Sequence, residues 1–232
     1  MKNISNLLKS ESLSAILQAG TQSSRQDVYS EERRQNQSPS REIKSLYMDE
    51  KGFFEHCAPL KYAHVSLDVC DKQPDAFVEY AKCWGKNPES VILLGPVGRG
   101  KTQFAFAMIR EMFRRCPRRL WPRFYTSPSL DSILLEASKT DGGDKYKIGE
   151  VGSEDVLFID DFGRETKSER IFRQYFELIN MRYTNQKPTI ISSNLTLDEI
   201  GRTMGDAIAS RFQEWQIIEF IGPDLRIQRK IS

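Results

Sequence analysis

Residues 95–102 read Gly-Pro-Val-Gly-Arg-Gly-Lys-Thr and fill the spacing G-x-x-x-x-G-K-[ST]. The residue types suit one task, holding a chain of phosphates. A loop that wraps a phosphate turns its backbone N–H groups inward, and Gly95, Gly98 and Gly100 can take the dihedrals this needs. Pro96, Val97 and Arg99 fill the other loop positions. Lys101 can neutralise the outer phosphates, and the Thr102 hydroxyl can ligate Mg²⁺. A second group, Asp160-Asp161, ends the apolar run Val156-Leu157-Phe158-Ile159. Acids at the tip of a buried parallel strand sit where ligands bind in open α/β sheets. Asp160 suits the Mg²⁺ shell, and Asp161 could orient or deprotonate an attacking water. A third polar tip, Ser192-Ser193-Asn194, closes another β-rich run, and its amide could bond the terminal phosphate or the water. Together these groups point to ATP and Mg²⁺ as cofactors.

The elements that must position these groups follow from pattern. Val91 to Leu94 is a short apolar run before a glycine, which predicts a buried strand. Phe104 to Ile109 are apolar helix formers, so the phosphates would meet a helix N-terminus, where the dipole favours anions. Further strands are predicted over 123–126, 156–159, 189–193 and 216–221. Helices are predicted over 74–84, 127–137, 167–183, 197–204 and 206–212. Residues 140–151 are polar and Gly-rich and predict a loop. Strands alternating with helices give an α/β fold with a parallel sheet flanked by helices.

Two stretches leave the reading open. Arg114, Arg115, Arg118, Arg119 and Arg123 crowd around Trp121. Such a patch can neutralise nucleic-acid phosphates and stack bases, or it can be a solvated helix end. Between residues 46 and 84 lie Tyr47, Phe53, Phe54, Tyr62, Phe77, Tyr80 and Trp84. They read as core, with Tyr62 and Tyr80 within reach of an adenine.

The chain has 232 residues and a net charge of +2, so nucleic-acid binding must rest on local patches. Cys57, Cys70, Cys83 and Cys116 form no C-x-x-C pair, which argues against a zinc site and for reduced, buried or half-buried thiols. His56 and His64 have no ligand-like spacing. No run is long and apolar enough to span a membrane, and the N-terminus lacks an apolar signal core. A cytoplasmic protein with no membrane partner is expected. Residues 1–45 form an arm. Leu13, Ile16 and Leu17 have helical spacing, and residues 21–45 are Gln, Ser, Arg and Glu with almost nothing apolar. The arm is either a frayed tail or a docking element. An isolated short helix gains most from a partner, which favours docking.

Taken together, Gly95 to Thr102, Val156 to Gly163, Ile191 to Asn194, Ala209-Ser210-Arg211-Phe212 and Asp224-Leu225-Arg226 resemble the AAA+ ATPases of the DnaC/DnaI helicase-loader and IstB transposition-helper clade. So does the leading stretch Ala58-Pro59-Leu60-Lys61-Tyr62. The resemblance implies an ASCE-type P-loop NTPase fold over residues 46–232, without a helical lid domain. It implies Walker A contacts at Lys101 and Thr102, Walker B acids at Asp160 and Asp161, and a sensor amide at Asn194. It also implies an arginine finger at Arg211, acting on a neighbouring subunit, and a second sensor arginine at Arg226. Residues 128–150 correspond to the clade's insertion that contacts single-stranded DNA. Asp161 stands where many AAA+ proteins have Glu. The activity implied is ATP hydrolysis, weak alone and stimulated by oligomerisation or DNA. The partners implied are a hexameric replicative helicase, single-stranded DNA and further copies of the chain. An IstB-like helper of a transposase and a nucleotide-gated adaptor with little hydrolysis are the alternatives.

Overall fold

The structure, a computed structural model, describes residues 49–69, 73–163, 168–222 and 224–225. The arm at residues 1–45, with its expected helix, and Arg226 lie outside the described residues.

Five strands among the described residues form one parallel sheet: β1 (Val91–Leu94), β2 (Pro122–Thr126), β3 (Val156–Asp160), β4 (Thr189–Ser193) and β5 (Gln216–Glu219), in the order β2-β3-β4-β1-β5. β4 thus lies between the phosphate-loop strand and the Asp160 strand. Val91 pairs with Ile190, Ile159 with Ile191 and Thr126 with Asp160, so the strand tips come level along one edge. The strands read as continuous apolar runs because both faces are covered. Val91, Leu93, Phe158 and Ile190 enter one buried cluster, while Ile92, Leu94, Leu157, Ile159 and Ile191 enter the other.

The first face is covered by α1 (Glu50–His56), α2 (Asp75–Lys86) and α3 (Lys101–Arg115). Here the leading aromatics from Phe53 onward find their place. Tyr62 stacks on Phe106 at 4.8 Å, Trp84 is buried, and the Tyr80 hydroxyl donates to Glu89. Trp84 is core, and the two tyrosines are half-buried against that core. α2 and α3 meet at Gly85, where a Cβ would sit 2.8 Å from the Glu111 carbonyl. Gly85→Ala should therefore force the helices apart at a cost of about 1–3 kcal/mol. A thermal melt would show it as a drop of several degrees, and an unchanged melt would contradict the contact.

The second face is covered by α4 (Ser127–Ala137), α5 (Gly143–Gly152), α6 (Glu169–Thr184), α7 (Leu197–Met204) and α8 (Asp206–Gln213). Side-chain caps start three of them: Thr126 accepts from the Ser129 N–H, Ser168 from the Ile171 N–H, and Thr196 forms a capping box with Glu199. α5 corrects the loop expected over 140–151. Its glycines hide the helix, but Ile148 and Val151 share one face and are buried with Leu134 and Leu178. Gly152 lets the helix approach Met181, which a Cβ would meet at 2.5 Å. Tertiary burial overrides weak propensity here. The last strand ends at Glu219, two residues earlier than expected, and leaves Ile221 88% exposed.

Candidate functional site

The loop between β1 and α3 lies at the level strand edge. Gly95, Gly98 and Gly100 take φ of 136°, 82° and 91°. A Cβ on Gly98 would meet the Asp224 carboxylate at 2.1 Å, so residue 98 must lack a side chain for both dihedral and space. The Leu225 N–H also donates to the Gly98 carbonyl at 2.9 Å, and Gln73 donates to the Arg99 carbonyl at 3.0 Å. Lys101 is 5% exposed and turns back over the loop. Its ammonium donates to the Gly95 carbonyl, to the Pro96 carbonyl at 2.9 Å and to Asn194 Oδ1 at 2.8 Å.

The Thr102 hydroxyl donates to both oxygens of Asp160, at 2.9 and 3.1 Å. Burial pushes the Asp160 carboxyl up, against hydrogen bonds from Ser192 and Thr102 that pull it down. A hydroxyl beside a buried carboxylate is an oxygen donor set that fits a hard cation such as Mg²⁺. Asp161 follows with φ 56°, in the left-handed region, and its Oδ1 accepts from Asn194 Nδ2 at 3.1 Å. Asn194 therefore touches Lys101 through its oxygen and Asp161 through its nitrogen. The structure brings Lys101, Thr102, Asp160, Asp161 and Asn194 into one hydrogen-bonded set.

Alongside lies an open cavity of about 560 Å³, lined by Pro96, Arg99, Asn194, Leu197, Asp198 and Ile221 among others. Nε and Nη1 of Arg99 are buried there without a hydrogen-bond partner. Orphaned guanidinium donors on a phosphate loop suit an anionic ligand, since only a ligand acceptor would repay their desolvation. The residues present thus fit both the nucleotide and the cation. Lys101→Ala should cost about 100-fold in nucleotide affinity, as expected for one charge-assisted contact. The rise in melting temperature that ATP gives the wild type should then nearly vanish, measured against the variant's own nucleotide-free melt.

The IstB-like ATP binding protein family matches residues 74–212, more than half of the chain. The chain belongs to this family. Among curated relatives, the phage-like element PBSX protein XkdC of Bacillus subtilis (strain 168) is 33% identical over 154 residues, covering 62% of this chain and 53% of its own length. The chain spans about half the length of the curated relatives it matches. Among solved structures, the DnaC helicase loader superposes with a TM-score of 0.60 at 20% identity, covering 69% of this chain and 99% of that one. The replication initiator DnaA bound to AMPPCP and single-stranded DNA gives 0.55 at 22%, covering 66% and 49%. These likenesses show the fold, a P-loop AAA+ sheet flanked by helices.

Other expected site residues of this IstB-like protein lie elsewhere. Arg211 sits on α8, half-buried. Its Nε donates to Asn180 Oδ1 at 3.1 Å and its Nη1 to the Ala207 carbonyl at 2.7 Å, and the guanidinium lies 5.0 Å from the Phe176 ring centroid. It is not brought to the phosphate loop of its own chain. Three of the patch arginines make ion pairs. Arg114 pairs with Glu50 and Glu111, Arg115 with Glu111, and Arg123 with Glu154. Trp121 is 3% exposed and packs edge-on against Phe53, so it stacks no base. Arg118 and Arg119 remain exposed. Among the described residues no group of three or more His, Cys, Asp or Glu is placed to hold a metal, and no helix is long and apolar enough to cross a membrane. Cys57 and Cys116 are half-buried free thiols, whereas Cys83 is exposed rather than covered.

Sequence reasoning passed over Ser192 and Ser193 as contributors. The Ser192 hydroxyl donates to Asp160 Oδ1 and accepts from the Asp161 N–H, and the Ser193 hydroxyl donates to the Phe162 carbonyl at 2.7 Å. Their only sequence signal was two hydroxyls at a buried strand end, where Val or Ile would be usual.

Proposed function

We propose that this chain is an ATP-hydrolysing AAA+ switch of DNA replication, which engages a hexameric replicative helicase and single-stranded DNA. The observation that carries the reading is the hydrogen-bonded set in which Asn194 joins Lys101 to Asp161 beside the Thr102–Asp160 pair. That set joins a lysine and a hydroxyl at the start of α3 to two carboxylates at the tip of β3 through an amide that follows β4, which supports phosphate binding, cation binding and water orientation at one place. The loop N–H groups and Lys101 bind the phosphates. Thr102 and Asp160 would hold Mg²⁺, which when bound neutralises charge on the outer phosphates. Asp161 orients the attacking water or takes its proton, and Asn194 links that carboxylate to the phosphate-binding lysine. Arg211 serves the site of a neighbouring copy.

The relatives support the choice of process. DnaC is described as a helicase loader, and the DnaA structure contains single-stranded DNA. α4 and α5 would face the DNA with Lys145 and Tyr146, the latter 73% exposed. A basic side chain beside an exposed ring suits backbone neutralisation plus base stacking. The arm at residues 1–45 would dock the helicase. The second reading, a helper that recruits a transposase to duplex DNA, is favoured by the IstB-like family match itself.

A pull-down from native extract with ATP separates them, comparing the full chain with one lacking residues 1–45. Retention of a hexameric helicase by the full chain alone supports loading. Recovery of a transposase instead would give the second reading.

A further inference from the structure

We infer that Ser192 is a positioning residue that locks the two acidic site residues, Asp160 and Asp161, into one rigid unit. The inference rests on the hydrolytic reading of the site and deepens it.

Ser192 lies near the tip of β4 and is 0% exposed. A serine hydroxyl has one proton to give and lone pairs to accept with. Here the proton goes to Asp160 Oδ1, and the oxygen accepts from the Asp161 N–H at 3.1 Å. One hydroxyl therefore bridges the side chain of the first acid and the backbone of the second. Its own carbonyl accepts from the Phe162 N–H at 2.8 Å, so Ser192 also holds the next peptide. Ser193 completes the lacing through the Phe162 carbonyl.

The bridge has a specific burden. Asp161 is one of two non-glycine residues with positive φ among those described, the other being Gln186. Left-handed backbone persists in a non-glycine residue only where its surroundings hold it. Asp tolerates that region better than a longer acid because its short side chain can bond locally. The hold on Asp161 is the Ser192 oxygen on its N–H and Asn194 on its carboxylate. The same hydroxyl steadies Asp160. Thr102 and Asp160 would hold the cation together, and the Ser192 bond fixes the Asp160 carboxylate for that task. Ser192 thus holds the first acid against rotation and the second at a fixed angle to it, which would orient a water relative to the cation when both are bound.

Three variants test this. Ser192→Ala removes the bridge, Ser192→Thr keeps a hydroxyl, and Ser192→Cys keeps the size with a weak donor. Binding of a fluorescent ATP analogue is measured with excess EDTA and with Mg²⁺, alongside turnover and a thermal melt. For Ser192→Ala, metal-free binding should match the wild type. The tightening that Mg²⁺ adds should fall about tenfold, as when an outer hydrogen-bond partner of a metal ligand is removed. Turnover at saturating Mg²⁺ and ATP should fall about 100-fold, as for a small misplacement of a reacting group, while KM rises about tenfold in step with the lost Mg²⁺ tightening. Ser192→Thr should recover most of both losses, or Ser192→Cys part of them if threonine's extra methyl lowers the melt.

Wild-type turnover and a wild-type Mg²⁺ increment in Ser192→Ala would overturn the inference. So would losses that track the melting temperature in all three variants regardless of the hydroxyl. If the wild type itself does not turn ATP over, the hydrolytic reading fails, and the Mg²⁺ increment still decides whether Ser192 holds Asp160.

Discussion

Arg211→Ala is expected to cut ATP turnover by about three orders of magnitude while leaving nucleotide binding near wild type, the effect of losing a cation supplied to the transition state by a neighbouring subunit. The geometry sets this expectation. Arg211 is tied to Asn180 and Ala207 and lies over Phe176, on the side of α8 that faces α6. It makes no bond to the loop at residues 95–102 of its own chain, so any help it gives to hydrolysis comes in an assembly. Wild-type turnover per mole should then rise with protein concentration. A mixing experiment separates this from simple loss of packing. Arg211→Ala has an intact nucleotide site, and Asp161→Asn has an intact arginine. Each alone should be inactive, and a mixture should recover part of the turnover where an intact arginine faces an intact site. Asn180→Ala, which frees Arg211 without removing its charge, should keep most of the activity. No recovery on mixing, or turnover independent of concentration, would remove Arg211 from the chemistry.

The largest loss of stability is expected at Arg182. Its side chain is 0% exposed. It donates to Thr189 Oγ1 at 2.8 Å, to the carbonyls of Gly152 and Glu154 at 3.0 and 2.8 Å, and to that of Pro188 at 2.6 Å. One guanidinium thereby ties α6 to the end of α5, the approach to β3 and the start of β4. Burial works against its charge, while Glu154 and Asp155 favour it. Arg182→Met fills much of the space but takes a donor from four buried acceptors, of which the Pro188 carbonyl keeps the Leu157 N–H and the Thr189 hydroxyl keeps its bond to the Lys187 carbonyl. The cost should be about 3–5 kcal/mol, a large part of the about 5–15 kcal/mol that holds a domain together. Lysine has too few donors in too compact a head to replace the fork, so Arg182→Lys should recover only part. Urea unfolding followed by circular dichroism would report both. A midpoint for Arg182→Met within error of the wild type would show that the four bonds contribute nothing net.

Much of the site was readable because phosphate chemistry demands particular atoms at fixed spacing. Gly95, Lys101 and Thr102 announce themselves, and Asp160-Asp161 at the end of an apolar run follows once a phosphate loop is in hand. The strands were readable because a sheet covered on both faces needs runs such as Val-Leu-Phe-Ile. What stayed hidden depends on partners distant in sequence. α5 looks like a loop because Gly143, Gly149 and Gly152 carry no helical signal, and only Ile148 and Val151 meeting the core fix it. The carboxylates that pair with Arg114 and Arg115, Glu50 and Glu111, could not be assigned to them from the sequence pattern. Tyr62 looks available until Phe106 covers it. The left-handed turn at Asp161 has no local signature, yet it gives a reason for Asp rather than Glu at that position.

The sheet order carries a consequence for how the molecule is made. β1 sits between β4 and β5, with Val91 facing Ile190 on one side and Gln216 on the other. Both neighbours are translated long after the phosphate loop has left the ribosome. Closing such distant pairs is slow, because the entropy of the intervening chain is lost before any contact repays it. The Lys101–Asn194 and Asp160–Ser192 bonds also wait for β4. A nascent chain therefore carries its nucleotide motif in an unassembled form for most of its synthesis, and ATP cannot act as a template for the early stages of folding. The bonds that join Asn194 to the phosphate loop and Ser192 to Asp160 therefore mark the finished sheet.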